Sequence, residues 1–116
     1  MITDTIHAHM RDIQSIKIKS LISKATTIEP TDTLSHVISK ITKNNSYDVF
    51  YLKDKNVLST NIRALLNAKN IDSMKVESFL YPIPHVTQND SVQKVANIIT
   101  HYRIREIPVV DKNQII

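Results

Sequence analysis

The chain has 116 residues, enough for one domain of ordinary size, and 41% of them are apolar, which supports a modest core and excludes a disordered chain. Its net charge of +4 is spread along the sequence rather than packed in a block, a pattern of plain solubility that also tolerates anionic partners. Cysteine and glycine are both absent. Without cysteine there are no disulfides and no thiolate metal sites, which fits a reducing cytoplasm. Without glycine there is no glycine-rich phosphate loop, and turns must be built from Asn, Asp, Ser or Pro. No apolar run approaches the ~18 residues that a membrane helix needs, and the N-terminus lacks a signal pattern. The expectation is a soluble cytoplasmic protein.

Residues 1–17, MITDTIHAHMRDIQSIK, carry Ile2, Ile6, Met10 and Ile13 at spacings of 4, 4 and 3, which predicts an N-terminal helix. From residue 18 onward the sequence matches itself at an offset of 58 without a gap. IKSLI (18–22) lies over VESFL (76–80). IEPTDTLSHVISKIT (28–42) lies over VTQNDSVQKVANIIT (86–100), and YDVFYLKDKNVL (47–58) lies over REIPVVDKNQII (105–116). The apolar positions agree almost throughout, so the chain reads as a first repeat over 18–75 and a second over 76–116.

Each repeat opens on a short apolar strand that ends near an acidic turn. Asp32 and Asp90 are expected to cap the helices that follow. Those helices have apolar stripes at i, i+3, i+4 and i+7: Leu34, Val37, Ile38, Ile41 and Val92, Val95, Ala96, Ile99. NNS (44–46) stops the first. The stretches YDVFYL (47–52) and REIPVV (105–110) are rich in β-branched and aromatic residues and predict strands. KDKN (53–56) and DKNQ (111–114) are tight turns into hairpin partners VLST (57–60) and II (115–116). In the first repeat a second helix is expected over NIRALLNAKN (61–70), with Ile62, Leu65 and Leu66 as its apolar face. The unit is therefore β-α-β-β-α, an α+β fold in tandem. The second repeat spans 41 of 58 positions, so the chain is expected to stop inside a repeat.

This pattern resembles the CBS domain pair, the Bateman module. YRIREIPVVDKNQII (102–116) looks like the family's R-x-x-PVVD strand and following turn. VTQNDSVQKVANIIT resembles its V-x-x-D-x-S-V helix entry, and IKSLI and VESFL resemble its V-x-D-x-M segment. The resemblance implies two units packed with pseudo-twofold symmetry, modules that commonly form homodimers, and clefts between repeats that bind AMP, ADP, ATP or S-adenosylmethionine. Such binding regulates an attached or partner protein, and no catalysis is expected of the module.

Carried over residue by residue, the ribose motif G-h-x-[ST]-x-x-[DN] falls on VLSTNIR (57–63). Thr60 takes the hydroxyl position, and Arg63 takes the position of the acid. A guanidinium has only donors, so it cannot accept from ribose hydroxyls; it is either a solvated helix residue or a phosphate ligand. The first-strand contact positions are Ala25, Thr26, Thr27 and Ile28 in one repeat, and Ile83, Pro84, His85 and Val86 in the other. Arg103 and Arg105 precede the second-repeat strand, where basic side chains can face phosphate or pair with Glu106. Pro108 marks a strand position that needs no ladder donor.

His7 and His9 have no acid or cysteine beside them, so no metal site is assigned. No nucleophile–base pair or paired carboxylates are recognisable, so no enzyme is expected. The alternative to a ligand sensor is a structural dimerisation module whose nucleotide site has decayed. Nucleic acid is a weaker partner, because no aromatic stacking platform accompanies the scattered basic residues.

Overall fold

The computed structural model describes residues 1–3 and 18–116. The elements in chain order are β1 (Ile2–Thr3), α1 (Leu34–Asn44), β2 (Asp48–Lys53), β3 (Asn56–Asn61), α2 (Ile62–Leu66), β4 (Tyr81–Ile83), α3 (Val92–Tyr102), β5 (Glu106–Ile107), β6 (Val110–Asp111) and β7 (Gln114–Ile115). Single 3-10 turns occupy Ile18–Leu21 and Val76–Phe79. The duplication is visible in the backbone: those turns, and the helices α1 and α3, lie 58 residues apart. The fold is mixed α+β, as the sequence pattern implies.

The chain divides into two compact units, a central one (Ala25–Ile83) and a terminal one (Met1–Lys24 with Pro84–Ile116). These do not coincide with the repeat boundaries. Residues 76–83 pack with the first repeat, and residues 18–24 pack with the second. The cause is pairing and burial. β4 adds to β3 through Val57↔Ile83 and Ser59↔Tyr81, and Val76 is buried in the core of the central unit. Likewise β1 pairs with β5 through Ile2↔Ile107, and Ile18 is buried beside Val92, Val95 and Ile99.

In the central unit the sheet order is β2-β3-β4, antiparallel, with Asp48↔Asn61 and Lys53↔Asn56 at the ends of the β2–β3 register. Leu34, Val37 and Ile41 of α1 and Leu65 of α2 bury against Val49 of β2. The helical expectation for 61–70 is too long. α2 is a single turn that ends at Leu66, where Asn67 turns back to donate its Nδ2 to the Arg63 carbonyl at 3.2 Å. Leu65 is fully buried, whereas Leu66, one residue and ~100° further round, is 66% exposed.

The helix caps are also shifted by one residue. Leu34 and Val92 begin the helices, so the extended residue before each is the cap: Thr33 accepts from the His36 N–H at 3.2 Å, and Ser91 from the Lys94 N–H at 3.1 Å. Asp32 and Asp90 instead close the turn that leads in, accepting from the Glu29 N–H at 2.9 Å and the Thr87 N–H at 2.8 Å. The expected first strand of each repeat shrinks to one parallel bridge, Thr27↔Phe50 and Val86↔Val109.

Lacking glycine, the chain places six other residues in the left-handed region among those described: Asn45, Asp54, Asn70, Arg103, Lys112 and Asn113. Asn45 (φ 52°) ends α1, as the NNS stretch predicts, and Arg103 (φ 53°) ends α3 at the equivalent position. Lys112 and Asn113 both have positive φ, which gives the β6–β7 hairpin a type I′ turn.

In the terminal unit the Met1 amine donates to the carbonyls of Ser23 (2.8 Å) and Ile116 (2.7 Å). Burial pulls its pKa down to about 6, against the opposing pull of the Glu106 carboxylate. Ile2 and Thr3, expected as the start of a helix, form a strand instead. The rest of that expectation, with His7 and His9, lies outside the described residues. Among the described residues no helix is long and apolar enough to cross a membrane.

Candidate ligand-binding site

Each unit builds its candidate site by laying its entry segment beside its PVVD-type strand. In the central unit, the Ile28 N–H donates to the Phe50 carbonyl (3.1 Å), and the Phe50 N–H donates to the Thr26 carbonyl (3.0 Å). In the terminal unit, the Val86 N–H donates to the Pro108 carbonyl (3.1 Å), and the Val110 N–H donates to the Val86 carbonyl (2.8 Å). Position 108 is equivalent to Phe50, but proline has no N–H, so the rung that Phe50 gives to Thr26 has no counterpart there. This is why the expected strand 105–110 breaks into β5 and β6 around Pro108.

The side chains divide into those spent on the fold and those left open. Thr26 is buried; its hydroxyl donates to Ser46 Oγ (3.0 Å) and accepts from Asn44 Nδ2 (3.2 Å). Ile28 is core. Thr27 is exposed, but its carbonyl is taken by Lys40 Nζ at 2.7 Å. Ile83 ends β4 opposite Val57, and Pro84 and His85 are half-buried on the way to Val86. Arg103 and Arg105 are exposed, and Pro108 is buried.

Thr60 is fully buried in β3 opposite Val49, and its Oγ1 has no hydrogen-bond partner among the described residues. A buried hydroxyl without a partner costs about 1–3 kcal/mol, so this one is an unspent polar group inside the unit. Arg63 lies exposed on α2, and its guanidinium makes no hydrogen bond or ion pair among the described residues. An open groove of about 420 Å³ runs along α3 past Lys94, His101 and Tyr102 and takes in none of the candidate residues.

One cluster escaped the sequence pattern. In the central unit Asn61 caps α2 with its Oδ1 (3.0 Å from the Ala64 N–H) and donates its Nδ2 to the Tyr81 hydroxyl at 3.2 Å. Tyr81 is 42% exposed. Burial raises the pKa of its phenol, the Asn61 hydrogen bond opposes this, and the Asp48 carboxylate and Tyr47 phenol push it further up. Tyr81 entered no repeat-based alignment because its role depends on β4 joining the sheet of the preceding repeat. A hydrophobic pattern that runs into YPIP (81–84) gives no hint of that exchange.

Residues 76–116 match the family model described as the CBS domain. No curated protein sequence matches the chain. Among solved structures, the CBS domain protein of Pyrobaculum aerophilum complexed with AMP is 20% identical, with a TM-score of 0.73 over 87% of this chain and 83% of that one. A CBS domain pair in complex with 5′-methylthioadenosine and S-adenosyl-L-methionine is 18% identical, with a TM-score of 0.69 over 84% and 82%. The CBS domain of a bacterial CNNM/CorC family Mg2+ transporter is 13% identical, with a TM-score of 0.72 over 92% of this chain and 70% of that one. At these identities the likeness is one of fold.

Proposed function

We propose, from the premise that this chain has the fold of a CBS domain pair, that it is a non-catalytic regulatory module. It binds an adenosine-containing ligand (AMP, ADP, ATP or S-adenosylmethionine) and passes occupancy to an attached or partner protein. The observation that carries this reading is the CBS match over 76–116 in a chain whose fold is shared with two proteins solved with adenosine ligands. The exposed Arg63 on α2 supplies a donor that the phosphate of such a ligand would use. The module acts in the cytoplasm as a homodimer, without metal, nucleic acid or membrane.

The test is thermal unfolding with each ligand in turn. A ligand at 100 times its Kd adds about 2.7 kcal/mol, a shift of several degrees for a domain of this size. A stabilising ligand supports the sensor. A well-folded chain indifferent to all four ligands supports a second reading, a dimerisation module with a decayed site. That reading is favoured by Arg63 standing where an acid is expected and by Val57 standing where glycine is expected.

A further inference from the structure

The strand pairings of the terminal unit repeat those of the central unit, but across the two ends of the chain. In the central unit β3 is one strand: Asn56 and Val57 pair with Lys53 and Leu52, Thr60 and Asn61 with Val49 and Asp48, and Ser59 with Tyr81 of β4. At an offset of 58, the first two pairs become Gln114–Asp111 and Ile115–Val110, which join β7 to β6. The next two fall on Ile107 and Glu106 of β5, whose partners are Ile2 and Thr3 of β1. The last falls on Ser23, which exchanges two backbone bonds with Met1: the Ser23 N–H donates to the Met1 carbonyl at 2.9 Å, and the Met1 amine donates to the Ser23 carbonyl at 2.8 Å. Met1, Ile2 and Thr3 therefore stand where Ser59, Thr60 and Asn61 stand. The Met1 amine also donates to the Ile116 carbonyl at 2.7 Å, so β1 follows β7 end to end.

The sequence keeps the same count. Two offsets of 58 make the chain length of 116, so the repeat position after Ile116 is that of Met1. RDIQSIK (11–17) lies over KNIDSMK (69–75) at that offset, with Ile13/Ile71, Ser15/Ser73 and Lys17/Lys75 identical. Burial shows why the edge of β5 must be covered. β7 stops at Ile115, whereas Ile107 of β5 is fully buried and Ile2 is 1% exposed, in one core with Ile18, Val95 and Ile99. Without β1, the β5 ladder groups and this core would meet solvent. We propose that the edge of β5 beyond the end of β7 is a strand-binding site, and that it takes the free N-terminal end of this same chain, Met1–Thr3. The terminal unit is then a permuted copy of the central one, with its β3-type strand assembled from β7 and β1. The site selects an extended segment with an amine at its first residue, held by the Ser23 and Ile116 carbonyls, and an aliphatic side chain at its second.

The test is a cross-strand disulfide. The chain has no cysteine, and Ile2 and Ile107 are directly opposite, about 4.5–5.5 Å apart at Cα and within disulfide reach. After mild oxidation of the dilute Ile2→Cys/Ile107→Cys chain, non-reducing electrophoresis is expected to show one intrachain bond in most molecules. A disulfide-linked dimer assigns the edge to a second copy and overturns the inference, as do unreacted thiols in a chain that circular dichroism shows to be folded. A second variant keeps every side chain: residues 1–17 are moved to follow Ile116, so that a peptide bond joins Ile116 to Met1. This permutant is expected to unfold cooperatively with a Tm close to that of the original order. One serine inserted between Ile116 and Met1 of the permutant shifts β1 by one residue, turns Ile2 to the other face and is expected to lower Tm by several degrees. A permutant that does not fold, or whose Tm is indifferent to the insertion, overturns the inference.

Discussion

Replacing Arg103 by glycine should stabilise the protein, although it deletes a charged side chain. Arg103 ends α3 at φ 53° and ψ 39°, within a few degrees of Asn45, which ends α1 at φ 52° and ψ 42°. The left-handed conformation costs an ordinary L-residue about 1–2 kcal/mol, because Cβ crowds the following carbonyl. Asparagine tolerates it better and glycine best. Glycine loses more chain entropy on folding, about 0.5–1 kcal/mol, so the net gain for Arg103→Gly is about 0.5–1 kcal/mol. In a domain of this size that raises Tm by roughly 2–5 °C. Arg103→Asn should fall between wild type and glycine. The mirror change, Asn45→Arg, should lower Tm by a similar amount. Thermal and urea unfolding of the four proteins measure this directly. A destabilised Arg103→Gly, or an Asn45→Arg that leaves Tm unmoved, would refute the reasoning that these two caps are strained to different degrees by side-chain identity.

Three further outcomes are expected. Leu65→Ala should cost about 2–5 kcal/mol because the side chain is fully buried, whereas Leu66→Ser should be within about 0.5 kcal/mol of wild type; paired urea titrations check the one-turn extent of α2. The Thr87 N–H, aided by Lys94, holds the Asp90 carboxyl below its usual pKa. That stability is present above the unfolded value near 3.8 and is lost as pH falls through the lower folded value, so Asp90→Asn should flatten the acid limb of the stability curve below pH 4. The Met1 amine has the opposite sign: its pKa near 6 in the fold lies below the ordinary 8.0, so the unfolded chain holds the extra proton between those values. Stability should therefore rise with pH from 6 to 8, and an N-acetylated chain should lack that rise.

Much of the fold was legible because the repeat left a consistent hydrophobic period. The stripes Leu34–Ile41 and Val92–Ile99 gave both long helices, and the β-branched runs with KDKN and DKNQ gave the hairpins. What was not legible involves groups whose roles depend on distant pairing. The placing of segments 18–24 and 76–83 is set by contacts that no local period encodes: Ile18 buries beside Val92, Val95 and Ile99, Ser23 bonds Met1, and β4 joins β3. The caps were misplaced because Asp-Thr and Asp-Ser each offer two competent oxygens in a row, and only backbone geometry decides that Thr33 and Ser91 take the helix while the carboxylates take the turn. At the candidate site the backbone frame around Phe50 and Pro108 followed from the motif. The motif picked out Thr60 but not its full burial, and it gave no sign of Tyr81, whose place depends on a third strand.

The most direct test of the central claim is equilibrium binding of adenosine ligands to the purified chain. The account predicts saturable binding of at least one of AMP, ADP, ATP and S-adenosylmethionine, with a matching rise in Tm. A folded chain that binds none of them at millimolar concentration would contradict it.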